Sequence, residues 1–381
     1  MMLKTLAYII CYIIYPFSFL FPRKKSRCAF GSFRGAFNDN AKYLFIYANE
    51  HCPDKELAWI SSSAETVAKV RSLGYRAYRS TSLKGALYAL TSKWWFFNAY
   101  TSDIMFCLSG GAQCVNLWHG VGLKRIEFNT VSGPLADRFI KRRFREVFYH
   151  PESFRRPDWL LSSSPFQSTM FAKAFRIPQS RCLEFGYPRN AVLKSPEKAS
   201  DGQFSGYRKV YIYMPTWRDS QREIFVQNMD LKTLNGALAA TESLLLLKPH
   251  ANTIVNADLD GLSNIRFIDS KEDVYPLLPY TDVLITDYSS ILYDYILMPG
   301  KSVVLYLYDY AQYVKERDFY YPFDENVAGQ RAENFQQLLD IIKQGPAPLD
   351  ESRRRALVEK FWGESKEKDS SRELMNFISN N

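Results

Sequence analysis

From residue 28 onward, short apolar runs that end in small or polar residues alternate with stretches whose apolar positions recur every three or four residues. The runs have the length of buried strands and the recurring stretches have helical spacing, so the alternation predicts parallel sheets covered by helices. In the first half, CAFGSF (28–33), LAWISSS (57–63), WWFFNA (94–99), QCVNLWH (113–119) and WLLSSS (159–164) read as strands. Helices fit between them, as in DNAKYLFIYANEH (39–51) and SAETVAKVRSLG (63–74). After the polar stretch SPEKASDGQFSG (195–206) a second series follows: KVYIYMPT (209–216), SLLLLKPH (243–250), IRFID (265–269), DVLITD (282–287) and SVVLYLYD (302–309). Two such series predict an α/β chain of two doubly wound domains facing a cleft, over residues 28–200 and 205–347. A charged helical segment, 350–381, follows them, and the expectation is that it closes back over the first domain.

Before residue 28 the pattern is different. TLAYIICYIIYPFSFLFP (5–22) carries no charge and precedes the basic run RKKSR (23–27). It is barely long enough to span a bilayer, Pro16 interrupts it, and no small-residue cleavage site follows. Three readings stand: a buried first element of the fold, a spanning anchor, and an interfacial anchor whose basic flank lies on anionic headgroups. The last is the main expectation, with residues 1–27 as a hydrophobic membrane-associating segment. The positive flank then puts the body of the protein on the cytoplasmic face of the membrane.

A length of 381 residues suits two domains, and 46% hydrophobic with 15% aromatic residues excludes a disordered chain. The net charge of +9 points to anionic partners, whether phosphorylated substrates, acidic headgroups or nucleic acid. No nucleic-acid-binding module surrounds that charge, so nucleic acid is not expected. The six cysteines show no CxxC spacing, which predicts reduced thiols in a cytosolic compartment and no structural zinc site. The basic run DRFIKRRFREVFYHPESFRRPD (137–158) interleaves aromatic residues with Arg and Lys, a composition that suits a membrane surface or an ordinary solvated helix.

Ligands of open parallel sheets bind outside the carboxyl ends of the strands, so the residues there are the candidates for chemistry. Two of the four histidines, His119 and His250, stand at such ends. In NLWHGVGLK (116–124), Gly120 and Gly122 permit close approach to His119, with Lys124 nearby. In LLLLKPH (244–250), Pro249 ends the ladder and leaves Lys248 and His250 at the strand mouth. YMPTWRDS (213–220) places Thr216 and Arg218 similarly, Arg218 as a bidentate phosphate ligand or as the partner of an acid. In TDYSSILYDY (286–295), Asp287, Ser289 and Ser290 precede a helix, where they could hold a phosphate or merely cap the helix. GSFRGAFNDNAKYLF (31–45) could position a hydroxyl-bearing or phosphorylated acceptor but lacks a dinucleotide fingerprint. No GxxxxGK[ST], GxSxG or HExxH motif occurs, which excludes a P-loop NTPase, an α/β-hydrolase and a zincin. No acidic pair marks a metal site, and the cationic, hydroxyl-rich set of strand ends suits phosphate transfer without one.

LWHGVGLK, GYPRN (186–190), MPTWRD, KPH and the long run DVYPLLPYTDVLITDYSSILYDY together resemble the CDP-glycerol:poly(glycerophosphate) glycerophosphotransferase family, over roughly residues 28–345. The resemblance implies a GT-B-like pair of Rossmann-type domains that moves glycerol phosphate from CDP-glycerol to a hydroxyl of a lipid-linked or polymer acceptor, releasing CMP. It implies an enzyme of teichoic acid or capsule polymer synthesis at the cell envelope. CDP-glycerol is then a substrate and no cofactor is expected, with the need for a divalent ion left open. By the resemblance, His119 is the general base on the acceptor hydroxyl and His250 assists at the donor phosphates. Arg218, Lys248, Ser289 and Ser290 correspond to donor-phosphate ligands, with Gly120, Lys124, Thr216, Asp287 and Asp294 in support. Val121-Gly122 stands where the family often has Thr-Pro, and Ala191 where it often has Asp, so the departures lie on the acceptor side. The competing expectations are a CDP-ribitol or other GT-B donor, and a non-catalytic membrane-surface binding protein.

Overall fold

The computed structural model describes residues 2–194, 204–216, 229–249, 261–269, 272–316 and 319–381. The chain divides into two units. The first holds Met1–His119, Arg125–Arg189 and Trp362–Asn381, and the second holds Gly120–Lys124 and Asn190–Phe361.

In the first unit seven parallel strands, β1 (Lys24–Phe30), β2 (Glu56–Ser61), β3 (Ala77–Arg79), β4 (Ser92–Phe97), β5 (Gln113–Asn116), β6 (Trp159–Ser162) and β7 (Cys182–Glu184), lie in the order β3-β2-β1-β4-β5-β6-β7. The second unit holds β8 (Lys209–Met214), β9 (Ser243–Leu247), β10 (Ile265–Phe267), β11 (Val283–Thr286), β12 (Ser302–Tyr306) and β13 (Gln330–Ala332), also parallel, in the order β10-β9-β8-β11-β12-β13. Both sheets are doubly wound, with the strand order reversing between β1 and β4 in one and between β8 and β11 in the other. Ligand crevices of such sheets open at the carboxyl ends beside that reversal. Helices cover the faces: Asp39–His51 and Ala64–Ser72 occupy the expected ranges, the second capped by the Ser63 hydroxyl. The core strands are buried along their length, which is why each reads as a continuous apolar run.

Every run read as a strand is one, but each ends one to three residues before its apolar or polar tail does. Past those ends the described residues leave the strands within a residue or two and form loops. Three strands went unread, β3, β7 and β13; all are three-residue edge strands that, unlike IRF of β10, do not have an apolar residue at both ends to mark them. The charged C-terminal segment forms two helices, Glu351–Trp362 and Ser370–Ser379, and the residues from Trp362 onward belong to the first unit.

The N-terminal hydrophobic segment is a helix, Met2–Phe17, with Pro16 in its last turn. Among the described residues no helix is long and apolar enough to cross a membrane, so the expectation of a spanning anchor has no support. Of the basic flank, Arg23 donates to the carbonyls of Ala89, Ser92, Leu108 and Gly110, and Arg27 pairs with Glu56 at 2.7 Å. Lys24 to Arg27 are the start of β1.

Candidate functional site

In the first unit, β5 ends at Asn116 and the chain turns through Trp118 to His119. Trp118 has φ +53°, a left-handed conformation that costs a bulky side chain roughly 1–3 kcal/mol unless its surroundings enforce it. Two buried residues do so. Asn40, at the start of the helix Asp39–His51, donates its amide to the carbonyls of Trp118 at 2.9 Å and Leu117 at 3.3 Å. Arg189, in the turn Pro188–Asn190, donates from Nη2 to the His119 carbonyl at 3.0 Å and from Nη1 to Asp39 at 2.6 Å.

The Trp118 ring stacks on the imidazole with centroids 4.0 Å apart. His119 Nδ1 lies 3.5 Å from the carbonyl oxygen of Asn98, just past the end of β4. If that nitrogen carries the proton, Nε2 keeps the lone pair. The Asn98 loop is itself held. Its side-chain amide donates to the Ser32 hydroxyl at 2.8 Å, its side-chain oxygen accepts the Ala41 N–H at 3.0 Å, and the Asp103 carboxylate accepts the N–H groups of Asn98 and Ala99. Ser32, Asn98 and His119 follow β1, β4 and β5, beside the reversal of the sheet.

Protein around the imidazole lowers the His119 pKa from its ordinary value, chiefly by desolvation. The Arg189 guanidinium lowers it too, while the Asp39 carboxylate and the Asn98 carbonyl oppose the shift. The side chain nonetheless keeps solvent access, so its desolvation is partial. A neutral imidazole near neutral pH is the form that can take a proton.

In the second unit, β8 stops at Met214 because Pro215 has no N–H for the ladder. Register pairs Thr286 of β11 with Met214, and the next residue of β11, Asp287, accepts the Thr216 N–H at 2.8 Å. Asp287 is buried and fixes the loop past β8; it also accepts the N–H of Tyr288. Lys124 stands beside Thr216, its amine 3.5 Å from the Thr216 hydroxyl and 5.4 Å from the Tyr313 ring centroid. Tyr313 in turn stacks on Tyr288. The Gly120–Lys124 segment belongs to this unit, with Lys124 bridged to Phe319 and the Leu123 carbonyl accepting from Tyr320.

Ser289 and Ser290 are half-buried before the short helix Ile291–Tyr295, and the Ser290 side chain makes no capping bond to it. Asp294 is fully buried, accepting from Asn190 at 3.0 Å and from the Tyr275 hydroxyl at 2.6 Å. Lys248 is buried, and its amine donates to the carbonyls of Asp269 and Glu272. Burial pushes its pKa down to about 8, against the pull of Glu272, Asp269 and Asp273. Arg218 and His250 lie outside the described residues.

The fold therefore brings Lys124, Thr216 and Asp287 together at one sheet reversal and sets His119 in a hydrogen-bonded frame at the other. Asp294 and Lys248 each lie in separate contacts. Sequence reading had no role for Asp39, Asn40, Asn98 or Arg189. The motifs GYPRN and FNDN contain three of them, but only the fold shows what they hold. Among the described residues no group of three or more His, Cys, Asp or Glu is placed to hold a metal ion.

Residues 13–380 match the CDP-glycerol:poly(glycerophosphate) glycerophosphotransferase family. The chain is 29% identical over 338 residues to a teichoic acid glycerol-phosphate transferase of Staphylococcus aureus, covering 84% of each protein. It is 25% identical over 342 residues to a teichoic acid poly(glycerol phosphate) polymerase of Bacillus subtilis, covering 86% of this chain but 45% of that protein. The solved structure of the wall teichoic acid polymerase TagF superposes with a TM-score of 0.76 at 23% identity, over 99% of this chain and 96% of that one. That likeness shows the fold: an α/β chain with two parallel sheets. Because the family match spans nearly the whole chain, this chain belongs to the CDP-glycerol:poly(glycerophosphate) glycerophosphotransferase family and is a glycerophosphotransferase.

Proposed function

We propose that this enzyme transfers glycerol phosphate from CDP-glycerol to a hydroxyl of a lipid-linked or polymer acceptor in teichoic acid synthesis. The acceptor oxygen attacks the phosphorus that bears the glycerol, its proton passes to Nε2 of His119, and the bond to the CMP oxygen breaks. The observation that carries this reading is His119 itself: a histidine of lowered pKa, with Nδ1 on the Asn98 carbonyl, in a turn held against strain. In this reading the first unit bears the acceptor side, and the second bears the donor side through Lys124, Thr216, Ser289 and Ser290, while the Lys248 amine is already held by the Asp269 and Glu272 carbonyls. Arg218 and His250 would complete the donor side. The test is turnover with CDP-glycerol and, in parallel, CDP-ribitol. His119→Ala is expected to abolish transfer while keeping its circular dichroism and its CDP-glycerol affinity; near-normal turnover removes the role. A preference for CDP-ribitol overturns the donor.

The same proposal places the enzyme on the cytoplasmic face of the membrane as a peripheral protein. Its support is the row of exposed apolar side chains on the N-terminal helix, Leu6, Ile9, Ile13 and Phe17, with Phe144 on the neighbouring helix Phe144–Tyr149. Such a row costs solvation in water and gains from an interface with anionic lipid.

A further inference from the structure

We infer that Arg189 and Asp39 form a clamp that positions His119, with Arg189 as a positioning residue for the transfer. The inference rests on the reading of His119 as the base. The carbonyls of three successive residues, Leu117, Trp118 and His119, are all held from one side, the first two by Asn40 and the third by Arg189. Asn40 and Arg189 are also joined, since the Arg189 N–H donates to the Asn40 side-chain oxygen at 3.3 Å. The Arg189 guanidinium is one rigid fork with two fixed ends, 2.6 Å from Asp39 Oδ1 and 3.0 Å from the His119 carbonyl oxygen. Asp39 anchors it to the first turn of a helix whose third residue, Ala41, bonds the same Asn98 that faces the imidazole.

Both sides of the ring are therefore referenced to one helix end. Without the clamp, Trp118 can leave its left-handed conformation, and the imidazole leaves Asn98 with it. A lysine at 189 supplies the charge but reaches one partner at a time. Loss of position rather than of binding is the consequence, because no donor ligand of the proposed reading lies in this frame.

The test combines kinetics with titration of the His119 ring by NMR in the full-length protein, its signal assigned by loss in His119→Ala. Arg189→Ala and Arg189→Lys are each expected to lower kcat by about 10²-fold with the KM for CDP-glycerol unchanged. The charges predict opposite titration shifts: Arg189→Ala raises the His119 pKa and Asp39→Asn lowers it, whereas Arg189→Lys restores it. Loss of kcat in Arg189→Lys with the ring's titration retained separates position from charge, because a purely structural ion pair replaced with its charge conserved would leave both unchanged. Wild-type kcat and titration in Arg189→Lys and Asp39→Asn overturn the clamp while an inactive His119→Ala leaves the base standing. An active His119→Ala overturns the base, and with it the clamp's part in the reaction. Should Arg189→Ala fail to fold, the two conservative variants carry the test.

Discussion

Surrounding protein moves two titratable groups of the first unit, the solvent-accessible His119 and the buried Glu127, in ways that follow from their charged forms. His119 is cationic when protonated, so desolvation favours its neutral form; Glu127 is anionic when deprotonated, so the same effect raises its pKa, to about 7. Glu127 is buried at φ +49° and accepts the Tyr100 hydroxyl at 2.6 Å, with Arg138 opposing the shift. The sign of its effect on stability follows from proton counts. Between about pH 4.5 and 7 the folded protein holds a proton that the unfolded chain has lost, so stability falls as pH rises through that window. Glu127→Gln removes the charge and keeps an acceptor for Tyr100. It is expected to raise stability by roughly 1–3 kcal/mol at pH 8 and to leave it unchanged at pH 4, as read from urea denaturation at the two pH values. An equal effect at both would mean that the carboxylate is not desolvated. None of this was legible in the sequence, where Glu127 is one acid in a polar loop. A strand-end histidine is visible as a pattern, but the groups that set its pKa are about 80 residues away on one side and 70 on the other.

The elements divide the same way. Strands with continuous apolar runs could be read because burial on both faces writes itself into composition, and the helix Asp39–His51 because its apolar positions recur with helical spacing. The basic run at 23–27 could not, because a charge count does not show partners, and Arg23 and Arg27 spend theirs on backbone carbonyls and Glu56. The N-terminal helix rests its tyrosines on neighbouring rings, Tyr8 and Tyr12 against Phe148 and Tyr15 stacked on Phe106 at 4.7 Å, and leaves its aliphatic side chains out. The membrane association proposed above rests on those aliphatic positions and on Phe144. Ile9→Ser, Ile13→Ser and Phe144→Ser together are expected to abolish sedimentation with phosphatidylglycerol vesicles while leaving turnover of a soluble acceptor analogue intact. Unchanged sedimentation sinks the membrane proposal.

At the scale of the molecule, the first unit is not complete until the chain's last residues return to it. Leu374, Met375 and Ile378 are buried, Phe377 meets Trp159 edge-on at 4.7 Å, and the hydroxyls of Ser365 and Ser370 donate to the carbonyls of Ser163 and Gly186. Removing residues 363–381 forfeits the burial of those three apolar side chains, roughly 5–9 kcal/mol at 1.5–3 kcal/mol each. The truncated chain is expected to be cut by protease within residues 1–189 before the second unit is attacked; an unaltered digestion pattern would show that the segment adds no stability. The sequence by itself determined the two parallel α/β series and the family. These rest on burial patterns and on short motifs, which are local. Only the tertiary structure decided the strand order, three of the edge strands, the partners of Arg23 and Arg27, and the Asp39–Arg189–His119 frame. Those depend on which distant residues face one another once the backbone is wound, and a linear pattern holds no record of that.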